Sequence, residues 1–428
     1  MSTVQVYRGE PDTLTQNDGK LRIKVTDALD TSGDLPDQDL LSNIIDIRHV
    51  EKIWKVAANN VDQHGDTYPH VVMPGRTKYT FNPVKWWTSG FFPGSLWILY
   101  ERSLKQKKEW PSSVATTTKL LQMAKAWSAG LEPEKSNTTT HDLGFMIMPS
   151  YQREYELTGS QDAAKIILEA AESLSTRFDD KVRSIRSWNA AETQDYKFFS
   201  TDRDFLVAID NMMNLDLLYS ASLISGNKKY AEMATAHAET TIKYHIRPDF
   251  STFHMMVYDP VTGDKKIGLT HQGYSHESTW SRGQAWALYG FATVYKYTEN
   301  PKYLEVAQKL SNYFLSRVDD DGIVFWDFDA PRPCEWDTSA AMAACSGMLL
   351  ICQLDNNSRA KYLPSILRII DTCMKQATAG PDNDCILTRA SVANYKYYKN
   401  KLVEHGLVYA DYYFLEIGNR LIDMGLLH

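Results

Sequence analysis

The chain has 428 residues, 43% of them hydrophobic, enough for a large core without forcing a division into domains. Its 46 Lys and Arg against 53 Asp and Glu leave a net charge of −7 with no dominant run of one sign, which argues against a nucleic-acid partner. No basic stretch followed by an apolar one opens the chain, and no run of about 18 apolar residues occurs, so neither a secretory leader nor a membrane span is expected. The five cysteines (Cys334, Cys345, Cys352, Cys373 and Cys385) are odd in number and lack CxxC spacing. They read as reduced thiols packed in helices, in a reducing, cytoplasmic setting.

Residues 1–40 form a polar lead segment, and 41–428 read as one helical domain. Hydrophobic periodicity predicts helices near 41–60, 86–107, 112–129, 142–158, 160–178, 203–225, 227–245, 281–298, 301–317, 336–355, 359–378 and 404–424. Three joining turns look alike: Leu157-Thr158-Gly159-Ser160-Gln161, Ser225-Gly226-Asn227-Lys228-Lys229 and Thr298-Glu299-Asn300-Pro301-Lys302. In each, Gly or Asn lets the chain leave one helix, and a polar residue or Pro starts the next. A looser fourth turn lies at Leu354–Ser358. Six hairpins in succession predict an all-α fold, an (α/α)6 toroid. An open solenoid is the alternative, disfavoured by the long irregular connections.

Unusual residues collect where the first helix of each hairpin begins: Trp86 and Trp87, His141 and Asp142, Asp210, Trp280 with Arg282 and Trp286, Trp336 and Asp337, and Tyr409 with Asp411 and Tyr412. In a toroid alternate helices run the same way, so these starts would converge on one mouth. Helix N-termini there suit an anionic ligand.

Two carboxylates stand out. Asp142 in THDLGFM either caps a helix or works beside His141. Asp210 in FLVAIDNMMNLDLL interrupts an apolar stretch. Burial there would raise its pKa and prepare it as a proton donor, unless it is a satisfied core aspartate. The segment HQGYSHESTWSRGQAWALYG at 271–290 is dense in polar and aromatic side chains. No HExxH, GxSxG, Walker or GxGxxG pattern occurs, so no catalytic metal, elbow serine or nucleotide cofactor is expected.

WWTSGFFPG (86–94), HDLGF (141–145), IDNMMNL (209–215), HQGY (271–274), WSRGQAWALYG (280–290) and YADYYFLE (409–416) resemble, in order and spacing, the unsaturated glucuronyl hydrolases of glycoside hydrolase family 88. The resemblance implies an (α/α)6 barrel. It also implies a reaction that frees a 4,5-unsaturated uronic acid from the non-reducing end of lyase-generated oligosaccharides by hydrating a vinyl ether. By position it makes Asp210 the general acid and base and Asp142 the second essential carboxylate. It places Trp87, His141, Trp188, His254, Gln272, Trp280, Arg282, Trp286 and Tyr412 around the sugar. YADYY stands where YGDYY or WGDYY is common. The implied partner is the oligosaccharide alone, with the protein a monomer or weak homo-oligomer. Rival readings are the related unsaturated rhamnogalacturonyl hydrolases, whose RGNGW differs from Arg282-Gly283-Gln284-Ala285-Trp286, a toroidal sugar epimerase, and a non-catalytic carbohydrate-binding scaffold.

Overall fold

The computed structural model describes residues 38–61, 65–106, 110, 114–397 and 401–427. The expected lead segment, 1–40, lies outside the described residues except for 38–40. The helices are α1 (Gln38–Ile44), α2 (Ile47–Asn59), α3 (Phe91–Lys105), α4 (Thr117–Ala129), α5 (Leu143–Ile147), α6 (Arg153–Thr158) and α7 (Gln161–Ser175). They continue as α8 (Leu215–Ser225), α9 (Lys228–Tyr244), α10 (Ser281–Thr298), α11 (Pro301–Ser316), α12 (Thr338–Leu354), α13 (Arg359–Ala377) and α14 (Val408–Asp423). A π-turn over Met148–Gln152, which contains Pro149, joins α5 to α6 into one inner rod.

Burial separates two layers. From Thr338 to Cys352, every residue of α12 is buried, and α10 is buried from Ser281 to Val294. A helix apolar all round belongs in the middle of a protein. By contrast, α7 buries only a stripe: Ala163, Ala164, Ile166, Ile167, Ala170, Ala171 and Leu174. The inner ring runs α3, α5–α6, α8, α10, α12 and α14, and α14 packs back on α3, closing the ring. Outside it lie α4, α7, α9, α11 and α13, with α2 against α3, and the result is an (α/α)6 barrel. The three similar turns lead from inner to outer helices. Gly159 and Gly226 sit at φ 73° and Glu299 at φ 53°, all left-handed, after which Ser160, Asn227 and Asn300 cap the outer helix through their side chains.

The long connections carry short strands at the opposite end. These are β1 (Thr67–Val72), β2 (Tyr79–Pro83), β3 (Phe178–Asp179), β4 (Ser184–Ile185), β5 (Ala191–Glu192), β6 (Lys197–Phe198), β7 (Phe205–Ala208), β8 (Met255–Tyr258), β9 (Lys265–Leu269) and β10 (Gly406–Leu407). Two three-stranded antiparallel sheets form, β10-β1-β2 and β7-β8-β9.

Several helix boundaries differ from expectation. The helix predicted from 203 is β7, then a 3-10 turn over Ile209–Asn214, and only then α8. Phe205–Ala208 is apolar on both faces because β7 is buried, so periodicity does not tell it from a helix. The helix predicted from 86 starts at Phe91. The one predicted over 41–60 breaks at Asp46, whose carboxylate caps α2 by accepting from Arg48 N at 2.8 Å. All five cysteines are free, four of them buried. No helix among the described residues is long and apolar enough to cross a membrane.

Candidate active site

Asp142 stands immediately before α5, yet its side chain caps nothing. It turns instead to Thr140, whose hydroxyl donates to Asp142 Oδ2 at 2.7 Å, and to His141, whose Nε2 lies 3.2 Å from Oδ1. The same nitrogen lies 3.6 Å from Asp210 Oδ2. Asp210 reaches this point because β7 pairs with β8 and Ile209 N donates to His254 O at 2.8 Å. The pairing delivers the 3-10 turn to the mouth with its carboxyl pointing at the imidazole. One fully buried histidine is therefore clasped by two carboxyls whose side chains are 14% and 15% exposed.

The two acids are driven apart. Burial pushes Asp210 above its ordinary pKa; the Asp142 charge adds to this, and His141 opposes it without prevailing. Burial also opposes ionisation of Asp142, but the charge of His141 and the hydrogen bond from Thr140 outweigh it, and Asp142 lies below the usual value. His141 is raised, because the two carboxylates overcome its desolvation. His254 Nε2 lies 3.9 Å from Asp210 Oδ1. Burial, with the neighbouring His271 and the charge of Arg282, holds it well below the ordinary range. An acid pushed up, an acid held down and an imidazole pushed up share one spot, a separation that such environments produce.

Trp188 forms the adjoining wall, with its ring centroid 6.2 Å from His141, 6.0 Å from His254 and 5.4 Å from His271. Trp280 covers His254 at 4.6 Å. Arg282 stacks on the Trp280 ring at 4.5 Å, pairs with Asp337 at 2.6 Å and donates to the Ser391 and Val392 carbonyls. Gln272 Nε2 also donates to Val392 O, at 2.9 Å. Gln272 and Arg282 thus fasten the 391–392 loop over the mouth. Trp87 faces Tyr409 at 5.0 Å and Phe145 at 5.5 Å, on the other side.

Two expected sugar contacts lie deeper in the ring than Trp87. Trp286 is 1% exposed and packs against Phe145 and Tyr413, one layer below Trp87. Tyr412 lies a helical turn too deep: it packs on Phe91, receives a bond from Arg153 at 3.4 Å and lines the axial cavity at the far end of the ring. The aromatic of that motif beside Trp87 is Tyr409, which the sequence placed at the mouth but not among the sugar contacts. Its position as the second residue of α14 was the available signal, since inner-helix starts face the mouth.

His141, Asp142 and Asp210 each offer a donor atom within 4.8 Å of the others, a spacing a cation could use. The two carboxylates raise the pKa of His141, so a proton competes with any cation for its ring nitrogen. Full activity is expected after dialysis against chelator, and restoration of a lost rate by one particular metal would contradict this.

A pyranose needs flat rings against its apolar face and paired carboxyls at its reacting bond. On a six-hairpin ring, such a mouth defines a carbohydrate hydrolase of the (α/α)6 class. The profile of Glycosyl Hydrolase Family 88 matches residues 72–416, and the chain belongs to that family. It is 37% identical over 376 residues to an unsaturated glucuronyl hydrolase of Formosa agariphila, covering 85% of each chain. To that of Bacillus sp. strain GL1 it is 31% identical, over 86% of this chain and 94% of the relative. A solved unsaturated glucuronyl hydrolase specific for heparin superposes with a TM-score of 0.80 at 31% identity, covering 91% of this chain and 98% of that one.

Proposed function

We propose that this glycosidase removes a 4,5-unsaturated uronic acid from the non-reducing end of oligosaccharides left by polysaccharide lyases, with Asp210 giving and then taking the proton. The carrying observation is the opposed pair either side of His141, Asp142 at 3.2 Å and Asp210 at 3.6 Å, with the pKa of Asp210 raised and that of Asp142 lowered. The vinyl ether C4=C5–O5 accepts the Asp210 proton at C4, and cationic character develops at C5 beside the ring oxygen. Water adds at C5 and loses its proton to the Asp210 carboxylate, which restores the acid. The C5 hemiketal opens to a ketone, and the hemiacetal left at C1 expels the next sugar. Asp142 binds sugar hydroxyls and, as a fixed negative charge, keeps Asp210 protonated. Trp188, Trp280 and Trp87 wall the ring, with His254 and Tyr409 between them. Residues 41–428 act as one catalytic unit, a monomer or weak homo-oligomer, and the free cysteines favour a cytoplasmic setting.

Unsaturated disaccharides from several lyases test this reading: at least one must lose its vinyl ultraviolet absorbance, and a flat trace with all of them ends it. The aromatic wall gives a sharper expectation. Trp188→Ala should raise KM about tenfold, the effect of losing about 1.4 kcal/mol of contact, with little change in melting temperature. Trp286→Ala should instead lower stability by about 3–5 kcal/mol, as for a buried Trp. Steady-state kinetics beside thermal melts separate the two, and the reverse pattern would invert the assignment of wall and core.

A further inference from the structure

Arg177 follows α7, is 7% exposed, and makes no ion pair with a carboxylate among the described residues. Buried cations are normally paired, so a lone one asks what it serves. Its guanidinium donates in four directions: Nε to Arg186 O at 2.8 Å, one terminal nitrogen to Thr138 O at 2.7 Å, and the other to Ser187 O and Asn189 Oδ1, both at 3.1 Å.

Those acceptors belong to the segments that build the catalytic cluster. Thr138 is four residues before Asp142, on the strap that carries Thr140 and His141. Ser187 and Asn189 flank Trp188. Ser187 in turn accepts from Ala208 N at 2.8 Å and donates its own N–H to Leu206 O at 2.7 Å, which fixes the strand that ends at Asp210. One side chain thus joins the supports of Asp142, Trp188 and Asp210.

We propose that Arg177 is a positioning residue for the reaction, a buried cation that clamps these three supports together and lends its positive charge to the Asp142–His141 pair. The inference rests on the reading of Asp142 and Asp210 given above. Its charge favours the carboxylate of Asp142 and opposes protonation of His141. Burial and the neighbouring Arg186 bring Arg177 itself down to about 10, still charged at neutral pH. The ionisable groups around the pair are Asp210 from the 3-10 turn, His254 just before β8, Arg177 after α7 and His237 from α9. A cavity of 330 Å³ lined by Arg177, Arg186, Thr138 and Asn189 gives small cations access to the spot.

Arg177→Ala and Arg177→Lys test the clamp and the charge separately, read by the vinyl-absorbance assay across pH with circular dichroism as the folding control. Arg177→Ala should lose on the order of a hundredfold in kcat/KM, the cost of misplacing reacting groups by about an ångström. Both limbs of its pH profile should move to higher pH, because removing a nearby positive charge makes each neighbouring acid hold its proton more tightly. Millimolar guanidinium should restore rate and profile together. Arg177→Lys should keep the wild-type limbs but not the wild-type rate, since one ammonium does not span four acceptors. If Arg177→Ala does not fold, a full-rate Arg177→Lys or one with displaced limbs overturns the inference. So does a folded Arg177→Ala with normal rate, or with a slow rate, unmoved limbs and no rescue. Asp142→Asn separates this from the parent reading: a near-normal rate there defeats the assignment of Asp142, whatever Arg177 does.

Discussion

Asp210→Asn is expected to cut turnover at least about a hundredfold, the low end for losing a general acid–base group, while the ring stays folded. An amide has the same shape but no proton to give to C4 and no charge with which to draw one from water. The fold should survive because the amide keeps the shape of the carboxyl and Asp210 Oδ1 accepts no hydrogen bond among the described residues. Stability should move the other way. The folded-state pKa of Asp210 is raised, so the folded protein holds this proton more tightly than the unfolded chain does. Stability is then lost as pH rises through the titration, and the amide removes that loss. The variant should melt no lower than wild type at neutral pH, and the wild-type rate should fall on the alkaline side as Asp210 ionises. A folded Asp210→Asn enzyme of near-normal rate removes Asp210 from the chemistry.

Saturated glucuronides are expected to be inert, and in heavy-oxygen water the label should enter the freed uronate at C5 and leave the partner sugar unlabelled. The carboxyls of Asp142 and Asp210 approach within 4.8 Å, near the roughly 5–5.5 Å of glycosidases that use a nucleophile at the anomeric carbon. Spacing alone therefore does not exclude displacement. The electrostatics separate the two routes: a nucleophile must be free, whereas Asp142 is tied to Thr140 and to the His141 charge. Only a substrate with a vinyl ether offers Asp210 a carbon to protonate. Label on the partner sugar, or efficient cleavage of a saturated glucuronide, would replace hydration by displacement.

Asp210 was conspicuous in the chain because a charged residue inside an apolar run is costly, as in FLVAIDNMM, whereas Asp142 follows a polar stretch and was singled out by the resemblance of HDLGF. Tyr409 and Tyr412 were not separable in that way. They share one motif and one chemistry, and only their depth along α14 sends one to the mouth and the other to the axial cavity. Arg177 gave no signal at all, since its role lies in acceptors that are backbone carbonyls, which every residue has.

By itself the sequence determined the helical hairpins, their turns and the end of the ring where unusual residues gather, because periodicity, caps and left-handed turn residues act over a few positions. Tertiary structure alone decided that residues 205–208 form a strand, that Asp142 caps nothing, and that His141 stands between two carboxyls whose pKa values are shifted in opposite directions. Those outcomes depend on pairing and burial between segments tens of residues apart. Desolvation and Coulomb interactions follow distance in space, and the order of residues along the chain does not contain that distance.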